Sequence, residues 1–330
     1  MQMTLKSQVD PLPIAGSEAI VTRKSRLSAD VVEVELAPSV EGEFEPFSGG
    51  SHIEIALAPE LKRSYSLTNM PGERHRYVIA VKKDATSRGG SAFVHDRIDV
   101  GRRVFVSKPR NAFSLRKAAT HSVLIAGGIG ITPIWSMIQE LSQTGSSWEL
   151  CYACRTPADA VYRTEIECLA AKTGAKVQLF HSQHGQGLDI KSAIIGQEGR
   201  AVDFYACGPS SMLAEFKQVT AGIPQERVHY ESFGKLAPEA TAGQFEVVLA
   251  RSGQAFNIAA DSTILETLLD AGLDIEFGCQ SGICGTCETS VLEGIPDHRD
   301  SCLTAAEKAN GARIMICCSR AKSSRLVLDL

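Results

Sequence analysis

Between Gly278 and Cys287 the sequence reads GCQSGICGTC, with Cys279, Cys284 and Cys287 at C-x4-C-x2-C spacing and Gly282 and Gly285 among them. Three thiols this close, interleaved with residues that lack a Cβ, let the backbone curl and aim N–H groups at sulfur, as in a [2Fe-2S] ligand loop. A fourth thiolate is needed, and Cys317 follows Cys287 after 29 residues, on the apolar run from Ile314 to Cys317. Cys318 adjoins it, and Cys302 lies in between. Successive side chains on a strand leave opposite faces, so only one of Cys317 and Cys318 can face a cluster, and we assign Cys317. Small buried hydrophobes or disulfide partners would explain neither the spacing nor the glycines. One-electron transfer is the chemistry this loop implies.

The rest of the composition narrows the setting. The stretch MQMTLKSQVDPLPIAG holds no apolar core of the kind a secretion signal needs, so a cytoplasmic chain is expected, in which ten cysteines serve as thiols and ligands rather than disulfides. Cys151 and Cys154, in WELCYACRT, read as parts of a buried strand: a redox CxxC opens a helix, and a zinc site needs two more ligands nearby. A net charge of -4 offers no basic stripe for nucleic acid, and no apolar run approaches a membrane span. A monomer satisfies everything in the sequence.

Three blocks follow one another. Residues 1–117 carry VVEVEL, HIEIAL and RYVIAVKK broken by Pro and Gly, which predicts a small antiparallel barrel. Residues 118–234 alternate apolar runs (Val123 to Ala126, Trp148 to Cys151, Val177 to Phe180, Phe204 to Cys207) with helical stretches, the pattern of a doubly wound parallel sheet. Residues 235–244 fall in the Gly-, Ala- and Pro-rich stretch GKLAPEATAGQ and read as a linker. Residues 245–330 begin with a hairpin and a helix capped by Asp261 or Ser262 and closed by Gly272, ahead of the cysteine loop. That is the plan of a ferredoxin-like β-grasp module.

Two groups of residues suit cofactors. RSYSL places Arg63, Tyr65 and Ser66 within four residues, able to pair with phosphate, stack on a flat ring and hydrogen-bond a ring nitrogen. RGGSAF then sets two glycines before Ser91, a candidate helix N-cap where a phosphate would meet free N–H groups. After the strand VLIA, GGIGITP lets a pyrophosphate approach the backbone at a helix opened by Thr132 and Pro133. It departs from GxGxxG and lacks an acidic residue about twenty positions on, which disfavours an ordinary dehydrogenase. Cys207-Gly208-Pro209 ends another strand, at the edge where open α/β sheets bind ligands.

The order RSYSL, RGGS, GGIGITP, CGPSSML, YESFG and the cysteine loop resembles the phthalate dioxygenase reductase family, which includes vanillate demethylase reductases, over nearly the whole chain. The resemblance implies a multidomain protein: an antiparallel flavin-binding β-barrel, an α/β nucleotide-binding domain of ferredoxin reductase type, and a C-terminal β-grasp [2Fe-2S] domain. It implies FMN, NADH and the cluster as cofactors. Arg63 and Ser64 would begin the flavin motif, Tyr65 and Ser66 meet the isoalloxazine, and Ala80, Val81 and Lys82 line the flavin. Arg88, Gly89, Gly90 and Ser91 would hold its phosphate, and Thr132 and Phe233 would flank the ring. Gly128, Gly130, Arg155, Cys207, Gly208 and Pro209 fall on the nicotinamide side. Ser66, Thr132 and Cys207 are the residues nearest the reaction, and Cys279, Cys284, Cys287 and Cys317 are the cluster ligands.

The expected function is therefore an NADH-dependent reductase that feeds a Rieske-type oxygenase, with no membrane or nucleic-acid partner. The same electron chain serving a cytochrome P450 or another acceptor is the alternative enzyme, and a ferredoxin-like carrier or scaffold the alternative without catalysis. HSQHGQG, after Phe180, holds no Arg for a 2′-phosphate, which favours NADH over NADPH. Acidic stretches near the cysteine loop, among them LEGIPDHRD, suit a docking face for a basic partner or ordinary solvated surface, and Asp297, His298, Arg299 and Asp300 could instead make interdomain salt bridges.

Overall fold

The structure is a computed structural model, and it describes residues 16–330 except 59–60, 85–88, 186, 196, 198–200, 234–242, 279, 281, 283–284 and 301. The chain divides into two units, 1–230 and 231–330.

The first unit opens with six antiparallel strands: β1 Gly16–Arg26, β2 Val31–Pro38, β3 His52–Ala58, β4 Leu61–Ser66, β5 Tyr77–Lys82 and, after helix α1 Gly90–Arg97, β6 Arg103–Ser107. Their order is β4-β3-β6-β1-β2-β5, and a bridge from Leu67, just past β4, to Ile79 on β5 brings the two edges together. The sheet thus closes into a barrel and hides its edges. Period-two alternation fills it: Val32, Val34 and Leu36 of β2 and Ile53, Ile55 and Leu57 of β3 are buried in one core with Val94 of α1. The opposite face of this part of the sheet is also covered, because Val31 of β2 and Ala80 of β5 join the core of the next layer.

That layer contains β7 His121–Gly127, α2 Ile131–Gln143, β8 Ser147–Cys154, α3 Arg163–Thr173, β9 Lys176–His181, α4 Ile190–Ile194, β10 Val202–Cys207, α5 Ser210–Val219 and β11 Val228–Glu231. Strands β10, β7, β8 and β9 pair in parallel, and the sheet order is β11-β10-β7-β8-β9. The four expected strands are all present. Helices α2 and α3 cover one face, with Ile134, Trp135, Ile138 and Ile166 buried. Helices α4 and α5 cover the other, with Ile190, Ile194, Leu213 and Phe216. The chain steps first to one side of β7 and later to the other, so the crevice between β7 and β10 is the switch point where such sheets take ligands.

Cys151 and Cys154 lie on β8, on opposite faces of the sheet: Cys151 belongs to the α4–α5 core and Cys154 to the α2–α3 core. Burial lifts the Cys151 thiol to about 11. No dithiol forms there, as the strand reading requires.

The chain joining the barrel to the α/β layer is fastened by Arg116, whose Nε and Nη2 each donate to a carboxylate oxygen of Asp203 at 2.6 Å. Asp203 lies on β10 and is fully buried. The Arg116 backbone N–H donates to Tyr205 Oη at 2.8 Å, and His229 stacks on the Tyr205 ring with its Nε2 3.6 Å from Asp203.

The second unit contains β12 Phe245–Leu249, β13 Ala255–Ile258, α6 Ile264–Asp270, β14 Glu288–Glu293, β15 Pro296–Asp297, α7 Ala305–Asn310, β16 Arg313–Met315, β17 Arg320–Ala321 and β18 Arg325–Leu328. A five-stranded sheet of order β13-β12-β18-β14-β16 is crossed by α6, with Ile264, Leu265 and Leu268 against it. The expected hairpin is present, whereas the helix cap differs by one or two residues. Thr263 caps α6, exchanging hydrogen bonds with Glu266, because only Ser/Thr-x-x-Glu at these positions forms the reciprocal box that Asp261 and Ser262 cannot complete.

Candidate functional site

At the barrel's outer rim, Arg63, Ser64, Tyr65 and Ser66 all lie on β4, in register with Ile55, Glu54, Ile53 and His52 of β3. The Ser64 hydroxyl is buried with no hydrogen-bond partner among the described residues, a capacity that a bound ligand would use. Tyr65 packs in part on the barrel core, and burial raises its phenol despite the Arg63 charge nearby.

Helix α1 begins beside Arg63. Gly89 is its N-cap, with φ 89°, and no side chain caps the helix. A Cβ on Gly90 would stand 2.6 Å from Arg63 Cγ, so the glycine is what lets the guanidinium arm lie along the helix start. Uncapped N–H groups, the helix dipole and an arginine converge there, which fits a phosphate. Ser91 does not cap the helix. It is the second helical residue, and its hydroxyl accepts from the Asp84 N–H at 3.1 Å, because the left-handed Gly89 takes the cap position two residues earlier. Arg88 lies outside the described residues.

Ala80 and Val81 are buried on β5 and point to opposite sides, Ala80 into the α/β core and Val81 into the barrel. Lys82 is half-exposed and pairs with Asp30 at 3.4 Å. Lys82, Asp30 and Val31 form the barrel wall of a cleft whose α/β wall is Gly128, Ile129, Cys154, Arg155, Asp159 and Val161. Arg155 is exposed and its Nε lies 3.5 Å from Asp159. The structure therefore gathers Lys82, Gly128 and Arg155 at one junction. Thr132 is buried beside it at the start of α2, its hydroxyl donating to the Ile129 carbonyl at 2.9 Å.

The loops after β7 and β10 touch. A Cβ on Gly130 would lie 2.2 Å from the Cys207 carbonyl oxygen, so Gly130 lets the two loops pack backbone against backbone. Gly128, with φ 54°, has open space on its side-chain face and is the glycine a ligand can approach. Cys207 is fully buried at the end of β10, and Gly208 and Pro209 lead from it into α5.

Beside Ser66, His52 is 4% exposed, and both its ring nitrogens lack a hydrogen-bond partner. Burial, with the Arg110 charge adding to it, drives this imidazole down to about 4, so it is neutral in the folded protein. The unfolded chain binds a proton below its ordinary value of 6.5 and the folded one does not, so folding stability falls as pH drops from 6.5 to about 4. The full loss is on the order of 3 kcal/mol. The His52→Leu protein should lack this step, and urea titrations between these pH values measure it.

In the second unit Cys287 and Cys317 are each 4% exposed and belong to the same buried cluster. Cys279 and Cys284 lie outside the described residues. Gln280, Gly282 and Gly285 take φ of 54°, 72° and 75°, the tight left-handed path of a loop that wraps a compact group. A Cβ on Gly282 would meet Cys318 Sγ at 2.5 Å and Asp300 Cα at 2.8 Å, so the loop is seated on Cys318. The strand from Arg313 ends at Met315, and the Cys318 and Ser319 N–H groups both turn back to the Met315 carbonyl. Cys317 and Cys318 thus sit in a turn, and strand alternation does not separate their roles.

In the LEGIPDHRD stretch Leu292 to Ile295 are exposed, while the charged end is paired within this unit rather than across domains. Arg299 pairs with Asp297 at 2.9 Å, and Asp300 is buried, accepting from the Leu303 N–H at 2.9 Å. It is therefore no docking face at Arg299 or Asp300. Phe233, also in the second unit, is 44% exposed. Among the described residues no helix is long and apolar enough to cross a membrane.

Sequence reasoning missed Tyr162, His52 and the Arg116–Asp203 pair. Their partners lie far off in sequence, and no local pattern marks them.

Comparisons agree with this geometry. The profile of the oxidoreductase NAD-binding domain matches residues 124–218, and that of the 2Fe-2S iron-sulfur cluster binding domain matches residues 247–322. Tetrachlorobenzoquinone reductase of Sphingobium chlorophenolicum is 47% identical over 322 residues, 96% of this chain and 99% of that protein. Phenoxybenzoate dioxygenase subunit beta of Ectopseudomonas oleovorans is 46% identical over 295 residues, 89% of this chain and 91% of that protein. Among solved structures, phthalate dioxygenase reductase, described as modular for electron transfer from pyridine nucleotides to [2Fe-2S], superposes with a TM-score of 0.69 at 38% identity, covering 96% of this chain and 98% of that one.

Proposed function

The chain belongs to the phthalate dioxygenase reductase family, and from that membership we propose that it is the reductase component of a Rieske-type oxygenase acting on an aromatic compound. It is an NADH-dependent flavin and iron-sulfur oxidoreductase whose cofactors are FMN, NADH and a [2Fe-2S] cluster, and its macromolecular partner is a terminal oxygenase component. The observation that carries the reading is the junction cleft, where Lys82 of the barrel faces Gly128 and Arg155 of the α/β layer, together with the orphaned Ser64 hydroxyl on β4. Bound FMN would take a two-electron hydride from NADH and release single electrons, the form in which a [2Fe-2S] cluster accepts them.

The protein's own residues bind and orient. Arg63 and the start of α1 would hold the flavin phosphate, and Ser64 and Ser66 offer hydroxyls to the ring. Thr132 is fixed by its bond to Ile129 beside the cleft. Cys287 and Cys317, with Cys279 and Cys284, would hold the cluster. We divide the chain for these tasks at 117 and 234, with 235–244 as linker, and expect a monomer. NADH as donor and thiols kept as ligands suit the cytoplasm.

The test is spectroscopic. The purified chain should show flavin and cluster absorbance that NADH bleaches without oxygen, and should drive a Rieske oxygenase in reconstitution. Absent flavin absorbance, or no bleaching, overturns the reading. The Gly90→Val protein should lose FMN on gel filtration while keeping its cluster, because the new side chain displaces Arg63. The likeness to tetrachlorobenzoquinone reductase supports a second reading, direct reduction of a small quinone, which NADH oxidation driven by a benzoquinone without any oxygenase would favour.

A further inference from the structure

Among the described residues, only two non-glycine residues have positive φ: Gln280 at 54° and Tyr162 at 60°. A bulky side chain is rare in this region and persists only where its surroundings hold it there. Gln280 has its reason in the cysteine loop. Tyr162 stands at the start of α3, and its contacts supply the reason.

Tyr162 is 9% exposed. Its ring stacks on Trp135 of α2, with centroids 5.8 Å and planes 20° apart. Its hydroxyl donates to Glu33 Oε2 at 3.0 Å, across 129 residues of sequence, on barrel strand β2. Glu33 is itself 8% exposed and held by Arg23 Nη2 at 2.8 Å. Both ends of this bond adjoin the junction cleft. Val161, next to Tyr162, lines its α/β wall, and Val31, two residues before Glu33, lines its barrel wall. The stacking on Trp135 and the bond to Glu33 hold the ring where the left-handed backbone of residue 162 presents it.

We propose that Tyr162 is a positioning residue that fixes the width of the junction cleft, and with it the distance hydride must cross from nicotinamide to flavin. This rests on the assignment of flavin to the barrel rim and NADH to the α/β wall. Hydride leaves the nicotinamide C4 with both bonding electrons and joins the flavin N5, NADH becoming NAD+ as the flavin is reduced. Tyr162 gives up no proton in that step; burial and the Glu33 charge hold its phenol well above the ordinary value. At 3.0 Å its hydrogen bond to the buried carboxylate is of ordinary length.

The experiment uses the whole FMN-loaded chain as wild type, Tyr162→Phe, Glu33→Met, which keeps the length of the side chain but has no acceptor oxygen, and the double variant. Stopped-flow bleaching without oxygen gives the flavin reduction rate and the NADH dissociation constant. Hydrogen–deuterium exchange gives the mobility of residues 159–163 independently of turnover. Each single variant should slow flavin reduction about tenfold, since small misplacements of reacting atoms carry penalties of this size. NADH affinity should hold, exchange at 159–163 should speed up, and the double variant should be no slower than the singles because all three lack the same bond. Single variants at the wild-type rate, losses that multiply in the double variant, or unchanged exchange would overturn the proposal. Glu33→Met keeps the test open if Tyr162→Phe misfolds. A wild type that NADH cannot bleach overturns the reductase reading and this one with it, whereas a fast wild type with unaffected variants overturns this one alone.

Discussion

The Cys317→Ser protein is expected to purify without its [2Fe-2S] cluster, while Cys318→Ser keeps it, as read by visible absorbance and by electron paramagnetic resonance of the reduced protein. Both thiols are buried in the turn after β16, so burial does not tell them apart. Their neighbours do. Cys318 Sγ is the seat of Gly282 and lies 3.7 Å from the Met315 carbonyl and 3.8 Å from the Ser319 hydroxyl, which describes a packing residue. Its exchange for the smaller serine leaves a modest void, worth about 1 kcal/mol. Loss of a ligand thiolate removes one of four bonds to the cluster, for which a serine hydroxyl at neutral pH is a poor substitute. A cluster retained in Cys317→Ser and lost in Cys318→Ser would reverse the assignment.

The second large effect is on folding. Arg116→Met should destabilise the α/β layer by about 2 kcal/mol, below the range for a fully buried ion pair, because the Arg116 side chain is a third exposed and His229 stays near Asp203. The cost is that of stranding a carboxylate with no exposed surface. Both tryptophans of the chain, Trp135 and Trp148, are buried in the core of that layer, so their fluorescence follows its unfolding. The urea midpoint should fall by roughly 1 M. Arg116→Met combined with Asp203→Asn should recover much of the loss, since the neutral amide no longer needs a counter-ion. An unchanged midpoint in the single variant would show that the pair contributes nothing.

The architecture was legible because its signals are local and repeated. Alternation in VVEVEL and HIEIAL marked barrel strands, apolar runs marked the parallel strands, and cysteine spacing marked the iron-sulfur module. The details that escaped depend on one-residue geometry or distant partners. Ser91 looked like a cap because a hydroxyl beside two glycines suits one, but left-handed Gly89 took the position. Thr263 won over Asp261 and Ser262 through Glu266, three residues on. Gly130 carries a constraint that the sequence did not show, a carbonyl from a loop some eighty residues away. The same holds for Tyr162 and Glu33, which no periodicity connects.

Strand β8 carries a practical consequence. Its two cysteines face opposite cores, and burial holds both thiols above their ordinary range, so neither meets a reagent in the folded protein. Among the described cysteines, Cys168 on α3 is the exposed one. A maleimide dye would therefore settle first on the nucleotide-binding layer, on the helix that Tyr162 introduces, giving a built-in attachment point for watching that layer without altering its sequence.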